Sequence, residues 1–233
     1  VAGVTQVAQQ LTQSGTSQVP CSDTKWGWGA GLWTLMVEAI EFAEKNWQFS
    51  HFLSVDYDTL FLAKGVDRSL LDCITGDRIG LIGSYKPRND HWAVIYDVEK
   101  PRIEKTLGLS VPRDYNRGEG VQGGVILLTR ALIDAMKSKK FFDNPVRTAK
   151  RFTSIADDHL IPLWCRYCRL DIHDAGTFVK SSWHATGDPR GMEKKGVKIF
   201  HPIKLTPQGC GNKTEWELRN YFRKLRGQEP VRV

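Results

Sequence analysis

Ser50-His51-Phe52-Leu53-Ser54-Val55-Asp56-Tyr57-Asp58-Thr59 is the stretch on which the reading of this chain turns. Ser50 to Val55 is a short apolar run, the pattern of a buried strand. Two carboxylates follow it, one residue apart. Strand alternation sends residues i and i+2 the same way, so Asp56 and Asp58 point to one place. In open α/β sheets, ligands gather at the carboxyl ends of strands. Two hard oxygen donors at such a point suit Mg²⁺ or Mn²⁺, and a divalent cation relieves the repulsion between them. The other reading is a turn-forming aspartate pair closing a strand.

Outward from this stretch the pattern alternates. Ahead of it, Leu32 to Lys45 carries Leu32, Leu35, Met36, Ala39, Ile40 and Ala43 at helical spacing. It is preceded by a glycine-rich loop, Lys25-Trp26-Gly27-Trp28-Gly29, by a short strand about Val19 and by a short helix over residues 1–13. After it, Ile79–Ser84 and Trp92–Tyr96 read as strands, and residues 97–120 as loop with one short helix. Gly123-Gly124-Val125-Ile126-Leu127-Leu128 reads as a strand entered through glycines, with Thr129 capping a helix to about Lys137. A further helix is expected from Asp158 to about Arg166, with Pro162 in its first turn. Its start holds adjacent acids, Asp157 and Asp158, which suit a helix N-terminus. One of them can cap while the other serves as a general base. Phe200-His201-Pro202-Ile203-Lys204 supplies a late imidazole and a cation. Strands alternating with helices predict an α/β fold with a helix on each face of the sheet.

Composition narrows the partners. The chain has 233 residues, 41% hydrophobic and 25% charged, an ordinary globular balance that excludes a disordered or fibrous chain. No apolar run is long enough to span a membrane. Lys and Arg outnumber Asp and Glu by 33 to 26, a net charge of +7 that favours anionic partners. The cations are dispersed and no nucleic-acid recognition motif occurs, so nucleic acid is not expected. Five cysteines, an odd number, make no disulfide framework. A zinc site at Cys165 and Cys168 would have to recruit Cys210 or His173 from afar, so reduced thiols are expected. Val1 is not a methionine, and no signal peptide is evident. The expected location is cytoplasmic or peripheral to a membrane, with a lumenal one open because an anchor or leading strand ahead of Val1 is out of view.

Taken together, a strand ending in Asp-x-Asp, a Gly-Gly strand about 65 residues on, an Asp-Asp helix start and a late Phe-His-Pro resemble the GT-A glycosyltransferases, in particular the fringe and core 1 galactosyltransferase group. Gly123 to Leu132, GGVILLTRAL, is similar to that group's Gly-Gly segment, and the likeness runs over residues 50–205. Tyr57 stands within the usual aspartate run, and His159-Leu160-Ile161-Pro162 replaces the aliphatic-glycine pair that often follows the two acids.

The resemblance implies a Rossmann-like nucleotide-diphospho-sugar transferase: a mixed sheet flanked by helices in a single domain over 1–205, its first strand not recognisable ahead of Lys25. Residues 1–100 would form the nucleotide and metal half and 101–205 the acceptor half. Asp56, Asp58 and His201 would hold Mn²⁺ or Mg²⁺. Lys25, Trp28, Lys204, Gly123 and Gly124 would border a UDP-sugar donor. Asp158, or Asp157 beside it, would deprotonate a hydroxyl of a carbohydrate, lipid-linked or protein acceptor, giving inversion. Trp164, Trp183 and His184 are candidate sugar-stacking surfaces. A retaining GT-A enzyme would share the Asp-x-Asp and the late histidine. A haloacid-dehalogenase-like phosphatase with Asp56 as nucleophile is the remaining enzymatic reading, although Thr59 then follows Asp58 one residue too early.

Residues 206–233 form the tail. Residues 212–226 are expected as an amphipathic basic helix, with a Thr214–Glu217 capping box and a stripe of Leu218, Tyr221, Phe222 and Leu225. It would pack on the domain or touch an anionic membrane surface through its cations.

Overall fold

The structure is a computed structural model that describes residues 31–56, 58–143, 146–148, 153–181, 188–203 and 215–230. The expected helix over 1–13, the strand about Val19, Lys25, Trp26, Trp28, Tyr57, Trp183, His184, Lys204, Cys210 and Thr214 lie outside the described residues. Helix α1 spans Gly31–Asn46 and leads to strand β1, His51–Val55. Then follow β2 (Leu60–Phe61), α2 (Val66–Leu71), β3 (Ile79–Lys86), α3 (Asp90–Leu107), β4 (Gly120–Thr129) and α4 (Arg130–Ser138). After a 3₁₀ turn at Val146–Thr148 come α5 (Asp157–Tyr167), β5 (Asp171–Asp174), β6 (Val179–Ser181), α6 (Pro189–Glu193), β7 (Ile199–His201) and α7 (Glu215–Leu225).

The main sheet has the order β1-β4-β3-β5. β4 is antiparallel to both its neighbours, and β3 and β5 run parallel. A smaller sheet, β2-β7-β6, joins one antiparallel and one parallel pair. The domain is therefore mixed α/β. Central strand β4 shows why its sequence is a continuous apolar run: both faces are buried. Ile126 and Leu128 face a core shared with α1, α3, α4 and α5, including Trp33, Ile133 and Leu160. Val125 and Leu127 face a second core with Val66 and Leu70 of α2, Val179 of β6 and Ile199 of β7. One face thus carries four helices, and the other is covered by α2 and the small sheet. Trp164, considered as a sugar platform, is fully buried in the first core against Trp33 and Phe141, so it offers no face to a ligand. Cys165 is buried there too, its thiol donating toward the Leu170 carbonyl.

Residues 92–96 correct the expected strand. They lie inside α3, an 18-residue helix. The Asn89 side chain accepts from the Trp92 N–H at its start, and Gly108 closes it in the left-handed conformation at φ 64°. Ala93, Tyr96 and Ile103 face the core, while Val94 and Val98 are exposed. Trp-Ala-Val-Ile-Tyr is rich in strand-favouring side chains, but burial follows helical spacing, and tertiary packing overrides propensity. Pro101 sits within α3 instead of ending it, so residues 97–107 of the loop expected over 97–120 are helix as well. In α5, Pro162 is the sixth residue, past the first turn, where its ring leaves the Asp158 carbonyl without an intrahelical donor.

The tail helix docks on the domain. Leu218 and Phe222 are buried with Leu60, Leu62, Phe200 and Ile203, whereas Tyr221 and Leu225 are exposed, so the buried stripe is narrower than expected. Arg219 donates to the Thr59 carbonyl at 3.1 Å and Arg226 to the Phe61 carbonyl. The helix is pinned to the segment that follows Asp58. No described helix is long and apolar enough to cross a membrane.

Candidate metal centre

Strand β1 ends where its last rung meets Gly124. The Asp56 N–H donates to the Gly124 carbonyl at 3.0 Å, and the Thr59 hydroxyl donates to the same carbonyl at 2.9 Å. The Thr59 N–H returns to the Asp56 carbonyl, closing a tight turn. One carbonyl of β4 thus fixes both ends of the Asp56–Thr59 segment. The Asp58 carbonyl accepts from the Ile203 N–H at 3.0 Å, tying the turn to the chain just past β7. Asp58 is 2% exposed, while the Asp56 carboxylate is open to solvent on one side.

His201 ends β7 opposite this turn. Its Nε2 lies 3.3 Å from Asp56 Oδ2 and 3.2 Å from Asp58 Oδ1. Ligand atoms of all three residues fall within 4.8 Å of one another. Gly124 makes the approach feasible. Its φ is +95°, and a Cβ there would overlap Cγ and Nδ1 of the imidazole. The room beside Gly124 that a Cβ would fill is taken by His201. A side chain at Gly123 would meet open space.

The far side of the ring is held by Ser181, the last residue of β6, paired with His201 across the parallel ladder. Its hydroxyl lies 2.6 Å from the Gly123 carbonyl and 3.0 Å from His201 Nδ1. A carbonyl only accepts, so the single hydroxyl proton goes to Gly123, and the oxygen accepts from Nδ1–H. In the neutral ring, Nε2 then faces two carboxylates with its lone pair. Three acceptor atoms at this separation need a cation or a proton between them. Donors of this kind, two carboxylates and an imidazole, fit a divalent metal. The spacing fits too: bonds of about 2.1 Å in an octahedron put neighbouring ligand atoms about 3.0 Å apart. Ser181 has no signal in the local sequence, because its role comes from a contact with Gly123, 58 residues away.

Helix α5 brings the acid pair to the same end of the sheet. Ala156 caps it without a side-chain hydrogen bond, so the first-turn amides are left to the acids themselves. Asp157 is half-buried. Burial, then the charges of Asp158 and Asp56, push its carboxyl up to about 8, against the pull of the Asp157 and Asp158 amides. Its sensitivity to Asp56 marks it as a neighbour of the metal cluster. Asp158 is 6% exposed and turned to the wall, Oδ1 3.8 Å from His159 Nε2; burial raises its pKa also. His159 is wedged by Trp92, ring centroids 4.7 Å apart, and its Nδ1 lies 2.9 Å from the Glu119 carbonyl. Gly120 leaves the room for this ring, since a Cβ there would sit 2.7 Å from His159 Cε1.

No family model and no curated protein matches the sequence. A solved structure, the crystal structure of a glycosyltransferase involved in the glycosylation of the major capsid of PBCV-1, is similar over 94% of this chain and 91% of its own, at 10% identity and a TM-score of 0.38. At that score the likeness carries no weight for function, which rests on the site.

Proposed function

We propose that the chain is a metal-dependent GT-A glycosyltransferase that moves a sugar from a nucleoside-diphosphate donor, UDP first among them, to an acceptor hydroxyl with inversion. The observation that carries this is the Asp56, Asp58 and His201 cluster at the end of β1, its imidazole fixed with Nε2 toward the carboxylates. The three residues hold Mn²⁺ or Mg²⁺, and the bound ion supplies the positive charge that stabilises the departing diphosphate. Lys204, two residues past the Pro202 that follows this histidine, and Lys25 and Trp28 in the glycine-rich loop, are assigned to the donor.

Asp157 takes the role of general base in this reading. It neighbours the cluster, and a carboxyl pushed upward is a stronger base for a hydroxyl proton than an ordinary one. The acceptor oxygen bonds to the anomeric carbon, the bond from that carbon to the diphosphate oxygen breaks, and the hydroxyl proton passes to Asp157. A base across the sugar from the leaving group gives inversion. Asp158 and His159, packed on Trp92, support the helix start that aims Asp157.

Calorimetric titration of UDP with and without Mn²⁺, on the wild type and on Asp58→Asn, tests the reading. Binding is expected only with Mn²⁺, and at least about 100-fold weaker in the variant. Failure of UDP, GDP and other nucleoside diphosphates alike on the folded protein would overturn it and return Asp56 to the role of a phosphatase nucleophile.

A further inference from the structure

At the far end of α5 a cleft of about 460 Å³ opens between the last turn of that helix, the end of α4 and the loop after α3. Arg78, Arg113, Lys139, Arg166 and Arg169 line it, against one acid, Asp114. Its size falls within the range of small-ligand sites. Asp157 starts α5 and Arg166 lies in its last turn, so a helix about 16 Å long separates the cleft from the acid pair beside the metal cluster. A ligand held here does not occupy the site already described.

Two of the cations are fixed by acids. The Arg166 guanidinium pairs with Glu119, which is fully buried and also accepts the Tyr85 hydroxyl proton at 2.6 Å. Arg78 pairs with Asp171 at 3.3 Å. Arg113, Lys139 and Arg169 form no ion pair among the described residues. Three unpaired cations therefore stand over a rigid floor of Arg166 and Tyr167, with only Asp114 in opposition.

Arg169 occupies its place against backbone preference. It follows the cap of α5 at φ +58°, where glycine or asparagine is usual. Its N–H donates to the Arg166 carbonyl and the Leu170 N–H to the Cys165 carbonyl, the paired bonds of a Schellman ending. Helix α4 ends the same way: Lys140 at φ +63° donates to the Lys137 carbonyl, and Phe141 to the Met136 carbonyl, directly after Lys139. These bonds occupy carbonyls that would otherwise repel an anion, leaving the cations to face the cleft. Among the described residues, Lys140 and Arg169 are the non-glycine residues with positive φ, and both adjoin this cleft.

We propose that the cleft is a second binding site, for a small ligand bearing a tetrahedral dianionic oxyanion, with a sugar phosphate the size that fills it. Arginine is the side chain that matches phosphate oxygens with two parallel donors, and four of the five cations are arginine.

Calorimetry at low salt with glucose 6-phosphate, inorganic phosphate, sulfate and uncharged glucose tests this on the wild type, on Arg113→Gln combined with Arg169→Gly, and on Asp58→Asn. Arg169→Gly relieves the left-handed backbone, so the fold is expected to hold or gain in Tm while the charge is lost. Glucose 6-phosphate is expected to bind without added metal, at least tenfold weaker in the double variant and unchanged in Asp58→Asn, with glucose inert. Equal binding of inorganic phosphate would assign the same cleft to the free oxyanion, and equal binding of sulfate would extend it to sulfated ligands. Silence from all three anions, unchanged binding in the double variant, or loss in Asp58→Asn would overturn the proposal. None of these outcomes bears on Mn²⁺-dependent UDP binding.

Discussion

The two ends of helix α5 make opposite demands on the same backbone. At its start Asp157 and Asp158 meet the positive end of the helix dipole and first-turn amides, which favour carboxylates. Burial and the neighbouring Asp56 outweigh that help, and the Asp157 carboxyl rises to about 8. The acidic end therefore gathers carboxyl groups whose charge its surroundings disfavour, and a proton or a cation relieves it. At the other end Arg166 and Arg169 meet the negative end of the dipole, which favours cations, yet a basic cleft remains open there. A helix dipole, worth roughly 0.3–1 kcal/mol at each end, sets the sign of the residues, and burial and neighbours decide whether a ligand is still needed.

The acidic end is more tightly built, and Gly124→Ala should break it first. The new methyl overlaps the His201 imidazole, and alanine is strained at φ +95°. Overpacking of about 1–3 kcal/mol and a left-handed cost of about 1–2 kcal/mol predict a loss of several kcal/mol in denaturant unfolding. Adding His201→Ala should return much of the stability without restoring Mn²⁺ binding. Equal instability of the single and double variants would mean that the glycine serves only its own backbone.

Ser181→Ala removes less. It deprives His201 Nδ1–H of its acceptor and frees the ring to turn. Mn²⁺ affinity should fall about 10–100-fold, the usual effect of losing a group that orients a metal-ligating histidine. Ser181→Thr, which keeps the hydroxyl, should recover part of it. Unchanged affinity in Ser181→Ala would show that the β6–β7 ladder alone aims the imidazole.

How much of this contrast is legible in the residues follows from the range of the contacts. Asp56 and Asp58 stand out because a strand and its end are local patterns, and the acids of α5 because a helix start is one. His201 enters through resemblance, since nothing within its own segment pairs it with residues some 145 positions earlier. Ser181 and Arg219 are invisible for the same reason: their partners, Gly123 and Thr59, are near only after the sheets assemble. The basic cleft escapes because its cations come from four separate segments. The misreading of Trp92–Tyr96 has another cause, since strand-favouring side chains there obey helical burial, with Val94 and Val98 facing solvent.

The smallest expected effect concerns stability at the acidic end. The folded Asp157 carboxyl titrates near 8 against an ordinary value of 3.8, so the folded state holds its proton more tightly than the unfolded state. Its contribution to stability is full below about pH 4, declines as pH rises between the two values, and is gone above about pH 8. Asn at this position carries no charge at any pH. Asp157→Asn should therefore match the wild type in thermal unfolding near pH 4 and exceed it at pH 8 by about 1–2 kcal/mol, a few degrees in Tm. That is well short of the full shift, because a half-buried carboxylate keeps some water. Saturating Mn²⁺ should narrow the gap, since a cation beside Asp56 offsets the charge that Asp157 feels. A wild-type advantage at pH 8, or a gap indifferent to Mn²⁺, would detach Asp157 from the cluster and leave the acid pair as a helix cap alone.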